Sequence, residues 1–149
     1  MTAILLLVAA ALLVALGGLM AALDAALGVT SRADLGEMST SGRNGAALAR
    51  IGADPEAHGN AVVFIRILAE TTAAVVVTVA FTIAFDSIWW AMLAAAVLMT
   101  MVSFVLVGAS PRAVGRQHAR GLLRACAPLV RGARIVLGPQ PPDQVQLGL

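Results

Sequence analysis

The sequence predicts an all-α membrane protein: three transmembrane helices followed by a cytoplasmic, amphipathic juxtamembrane helix. Three observations carry that prediction. The chain is 60% hydrophobic and only 12% charged, with a mean hydropathy of +0.91, whereas soluble domains carry roughly a quarter of charged residues. Three stretches, at about 3–23, 61–85 and 87–110, are long and apolar enough to cross a hydrocarbon core of about 30 Å. Arginine is segregated, with three in the loop 24–60 and six after Pro111.

The first span comes from Thr2–Leu23, 22 residues without a charge. A secretory signal would carry a positive segment ahead of a shorter apolar core, but the first arginine is Arg32. The stretch therefore reads as a membrane helix with its N-terminus outside. The loop 24–60 is polar and glycine-broken, with short helices. Ala46–Ile51 is its best helical piece, and Ala53-Asp54-Pro55 stops that piece. The second span runs over 61–85 despite Arg66 and Glu70, and the third over 87–110. Between them Phe85-Asp86-Ser87 forms a tight hairpin, with Trp89 and Trp90 just inside it, where indoles favour the water–lipid boundary.

Positive-inside bias puts the 24–60 loop and the C-terminus in the cytoplasm and the N-terminus outside, which an odd number of spans also requires. The last element is a helix over 112–137. At about 100° per residue, Arg112, Arg116, Arg120, Arg124, Arg131 and Arg134 share roughly one third of its circumference. Val114, Leu122, Ala125, Cys126, Leu129, Val136 and Leu137 lie mostly opposite, while Leu123, Val130 and Ile135 break the pattern. Such a helix lies in the interface, with its arginines toward anionic headgroups. Pro128 is expected to kink it, and the tail 138–149 reads as disordered.

The composition also excludes functions. A net charge of +2, few aromatic residues and no tyrosine leave no nucleic-acid surface. A single cysteine, Cys126, allows no intramolecular disulfide, and His58 and His118 read as solvated surface histidines. No nucleophile elbow, phosphate loop or zinc spacing is present, so an enzyme is not expected. All ten basic residues are arginine, a bias of GC-rich bacterial genomes that makes a bacterial inner (cell) membrane the expected location.

Charges inside membranes are rare and point to function. Glu70 and Asp24 are candidate oxygen ligands for a cation, and Arg66 can pair with Glu70 along one helix face. Thr71 lies beside Glu70, and Thr100, Ser103 and Ser110 share a stripe of the third span. Gly17/Ala21, Gly18/Ala22 and Ala91/Ala95 permit close helix packing or dimerisation.

The order of elements resembles the transmembrane domain of the CorC/HlyC and CNNM (cyclin M-like) family. Asp24-Ala-Ala-Leu followed by Thr30-Ser31-Arg32-Ala33 is similar to the family's S-E-x-A-L…S-R-A segment. Gly45-Ala-Ala followed by Asp54-Pro55-Glu56 precedes the second span, and Gly108-Ala-Ser-Pro111-Arg112 stands where the family reads G-E-x-x-P-K. The resemblance implies transport or efflux of a divalent cation, magnesium above all, with possible sodium coupling and a homodimeric assembly. The family's cation site uses a serine of the first span, an asparagine of the second and the glutamate of G-E-x-x-P-K. Here those positions hold Ala21 or Leu23, Glu70 and Gly108. The expected cation-site set is thus Glu70, Asp24, Thr71, Ser103, Gly108 and Ser110. Family members usually continue into a nucleotide-binding CBS-domain pair. Its absence from this sequence implies a short form, a truncation, or a regulatory part carried by a separate chain. The competing expectation is a non-transporting scaffold or regulatory subunit that binds anionic lipid or a partner protein through its basic helix.

Overall fold

The computed structural model describes residues 1–40, 42, 44–108 and 110–137, and for Val107, Gly108 and Ser110 the backbone alone. The tail 138–149 expected to be disordered, and Arg43 of the expected loop, lie outside the described residues. In chain order the helices are α1 Thr2–Val29, α2 Arg32–Ser39, α3 Gly45–Ala53, α4 Pro55–Ala84, α5 Ile88–Gly108, α6 Ser110–Gln117 and α7 Ala119–Val136. Three stretches are long and apolar enough to cross a membrane: α1, α4, and α5 with α6 from Ile88 to Gln117.

α1 has 28 residues and α4 has 30, lengths of about 42 and 45 Å at roughly 1.5 Å per residue. Both exceed an apolar core of about 30 Å, so an end of each projects beyond it. α1 continues past Leu23 and takes Asp24 into the helix. At the same end of the bundle Asp54 caps α4, its carboxylate accepting from Ala57 N–H at 3.2 Å. Pro55 fills the first turn, where a missing N–H leaves no bond unmade. Asp54-Pro55 therefore both ends α3 and starts α4. α2 opens with a reciprocal cap: Asp34 N–H donates to Ser31 Oγ at 3.1 Å and Ser31 N–H donates to Asp34 Oδ2 at 3.3 Å. Phe85, Asp86 and Ser87 alone separate α4 from α5, and Trp89 and Trp90 are exposed beside them.

α1 lies along α4, α5 also packs on α4, and α6 crosses α1. Two cores result. Within the apolar section Ala10, Ala73, Val77, Ala95 and Met99 interlock, and the small side chains bring helix backbones close. At the polar end Met20, Leu23, Leu35, Met38, Leu48, Ile51, Val62, Leu123 and Val130 form a larger core joining α1, α2, α3, α4 and α7. Gly18 meets Leu106, whose Cδ2 lies 3.1 Å from where a Cβ would stand. Gly115 brings α6 onto the carbonyl of Ala22, which a Cβ at that position would overlap.

The helix expected over 112–137 is instead two helices. His118, at φ −115° and ψ 30°, turns the chain between α6 and α7. α6 stays against α1 through Gly115, while α7 packs across α1, α3 and α4. α7 runs through Pro128. Its buried face is Leu123, Ala127, Val130 and Ala133, a spacing that keeps one side of a helix inward. Leu123 and Val130, which break the sequence pattern, are thus the residues that anchor the helix. Val114, Leu129, Val136 and Leu137 are exposed.

Candidate functional site

Arg66 and Glu70 lie one turn apart on α4, inside its apolar stretch. Arg66 Nε donates to Glu70 Oε1 at 3.0 Å, and the two side chains are only 12% and 20% exposed. α4 turns Ala69, Ala73, Val77 and Ala80 inward, and Glu70, beside that stripe, meets α1 at Gly17. Its Cγ lies 3.3 Å from where a Cβ on Gly17 would stand, and Oε1 lies 3.8 Å from it. Glycine at 17 therefore leaves Glu70 an unstrained fit against α1.

The remaining expected ligands distribute unevenly. Asp24 is half-buried on α1, seven residues beyond Gly17 and so about 10 Å nearer the polar end. Thr71 is exposed on the outer side of α4 and does not join Glu70. Ser103 is half-buried on α5. Thr100 is exposed and donates to its own helix, to Ala96 O at 2.7 Å, which removes it from the hydroxyl stripe. Gly108 and Ser110 lie outside the described side chains. Among the described residues, no three His, Cys, Asp or Glu side chains gather around a common point. What comes together is Glu70, Arg66 and Gly17.

The second charged constellation is the polar end. Arg120, exposed, pairs with Asp34 Oδ1 at 2.8 Å and approaches Glu37 Oε2 at 3.9 Å. The hydrogen bonds from Ser31, with the charge of Arg120 added, hold the Asp34 carboxyl below the usual carboxylate range. Arg124 donates to Met38 O at 3.4 Å and stands against Gly42, whose φ of +85° suits a glycine. Asn44, at φ +61°, donates from Nδ2 to Arg124 O at 2.7 Å. Arg124, Arg131 and Arg134 are half-buried, whereas Arg116 is exposed. Arg112 is half-buried, with its Nε enclosed and without a hydrogen-bond partner among the described residues. The arginines expected to face lipid together are thus divided, and α7 holds the α2–α3 segment through Arg120 and Arg124.

His58 is the functional-looking residue that sequence reasoning passes over. It is 3% exposed rather than solvated. Its Nδ1 stands 2.7 Å from Asp54 O, and its Nε2 stands 3.2 Å from Arg131 NH1. An arginine only donates, so Nε2 accepts, Nδ1 carries the proton, and the ring is neutral. Burial pushes its pKa below the ordinary histidine value, with the arginines adding to the effect.

Three apolar helices, an ion pair on α4 turned toward α1, and a basic helix folded back on the polar end define a multi-pass membrane domain. The chain belongs to the cyclin M transmembrane N-terminal domain family, whose model matches residues 7–140. UPF0053 proteins of Mycobacterium bovis and Mycobacterium tuberculosis are each 40% identical to it over 116 residues, 77% of this chain and 26% of theirs. The chain thus spans about a quarter of the length of those curated relatives. No solved structure matches it. The resemblance carried by the segments around Asp24, Gly45 and Gly108 is confirmed.

Proposed function

We propose that this domain moves a divalent cation, magnesium, across a bacterial inner membrane, with Glu70 as the acid the ion passes. The observation that carries the reading is the placement of Glu70: a carboxylate inside an apolar helix, against a glycine of the facing helix. Membership of a family associated with divalent-cation transport supports it. Magnesium dehydrates reluctantly and is commonly held by one or two carboxylates plus its own waters, which suits a passage with a single acid at that depth. Asp24, nearer the polar end of α1, is a second oxygen donor along the path, and Ser103 a third. Arg66 donates to Glu70 Oε1 at 3.0 Å, so an arriving cation competes with the guanidinium for that oxygen. The arginine distribution supports a cytoplasmic α2–α3–α7 end and an N-terminus outside. Sodium coupling, a homodimer and a separate regulatory chain belong to the same reading.

One observation favours a second reading. Arg66 already satisfies Glu70 at 3.0 Å, which suits a non-transporting scaffold that binds lipid or a partner protein through α7. Magnesium flux into proteoliposomes, wild type against Glu70→Gln, separates the two. Flux lost in the variant supports transport, and its absence from both supports the scaffold.

A further inference from the structure

At the polar end a cavity of about 490 Å³ is lined by Arg50 of α3, Asp54 and His58 at the start of α4, and Arg131, Arg134 and Ile135 of α7. None of the cation-site residues lines it. Three guanidiniums face one carboxylate, and that carboxylate is engaged in capping α4 through Ala57 N–H. With His58 neutral, the lining carries a net double positive charge. Arg131 gives NH1 to His58 Nε2, which fixes the guanidinium in place while its other N–H groups remain to donate. Ligand cavities run from about 300 to 1,000 Å³, so the space exceeds a bare ion and holds an anionic group with a substituent.

The position narrows the ligand further. His58 lies four residues before Val62, about 6 Å along α4, and Val62 belongs to the helix's apolar stretch. Ile135 and Val136 are 63% and 77% exposed beside the cavity. The arginines therefore stand where the apolar section ends, at headgroup depth. Planar guanidinium forks match phosphate oxygens in pairs.

We infer that this cavity binds a phosphate group, borne by an anionic phospholipid headgroup or arriving as free phosphate. The inference does not rest on the transport reading.

The test uses the full chain in phosphatidylcholine nanodiscs. One arm adds phosphatidic acid and reads retained lipid by native mass spectrometry. The other titrates radiolabelled inorganic phosphate by equilibrium dialysis. Saturable binding of one phosphate group per chain is expected in at least one arm, and that arm identifies the source. Arg50→Gln and Arg134→Gln should each weaken it about tenfold, the scale of a lost charge-assisted hydrogen bond. Arg50 is exposed, so its replacement spares the fold, which a circular-dichroism melt verifies. Arg32→Gln, exposed on α2 and outside the cavity, makes the same charge change and should leave affinity within twofold. No saturable binding in either arm, binding that survives both cavity variants, or an equal loss with Arg32→Gln would overturn the assignment.

Discussion

Arg131 and His58, 73 residues apart in sequence, meet through NH1 and Nε2 at 3.2 Å, joining the last helix to the first turn of α4. The contact works only while the ring is neutral, because an imidazolium has no lone pair to offer. Protonation would also add a third positive charge beside Arg131 and Arg134, both of which oppose it.

This fixes the sign of a pH dependence. The folded pKa of His58 lies below the ordinary value, so the unfolded chain binds the extra proton first and stability rises with pH across that interval. Melting temperature in detergent should fall as pH drops from about 7.5 to about 5.5, since unfolded histidine titrates near 6.5. His58→Gln should melt lower than wild type at the upper pH and with a flatter profile. Asp34 does not contribute in this window, because its carboxyl is held below the ordinary carboxylate range and its stabilisation is lost only in stronger acid. A His58→Gln profile as steep as the wild type's would contradict the assignment.

A second prediction concerns the seam between α1 and α6. Gly115→Ala places a Cβ on the carbonyl of Ala22 and should cost about 1–3 kcal/mol, the scale of overpacking a tight contact. Gly121→Ala, on α7 with nothing within 4 Å of the added carbon, should be neutral or stabilise by up to about 1 kcal/mol through helix propensity. Denaturation of the two variants in parallel checks the contrast.

Much of this architecture is legible in the sequence, because membrane spans declare themselves by length and absence of charge. The 22 uncharged residues from Thr2 to Leu23 and the three-residue hairpin at Asp86 need no tertiary information. The pairing of Arg66 with Glu70 follows from helical spacing alone. The polar end is less legible. Six arginines on one arc of 112–137 suggest a lipid-facing stripe, but the burial of α7 is decided by Leu123, Ala127 and Val130, and long arginine stems reach round from that side. His58 is hidden for a different reason: its burial depends on α7 arriving from far along the chain. Two local signals do stand in the sequence. Ser31-x-x-Asp34 encodes the cap of α2, and Asp54-Pro55 encodes the start of α4 as well as the end of α3.

The orientation has its own test. Asp86→Cys in a Cys126→Ser background should react with an impermeant maleimide added outside intact cells. Ala46→Cys, exposed on α3, should react only after permeabilisation, as the proposed inward-facing, arginine-rich end requires. The reverse pattern would contradict the orientation.

The role of Glu70 is tested most directly by magnesium flux into proteoliposomes, with thermal melting of the same preparations confirming that each is folded. Magnesium-dependent flux is expected in wild type, and its loss in a Glu70→Gln variant that remains folded. Folded wild-type protein that carries no magnesium, or a Glu70→Gln variant that carries it as fast, would contradict the claim that the ion passes this carboxylate.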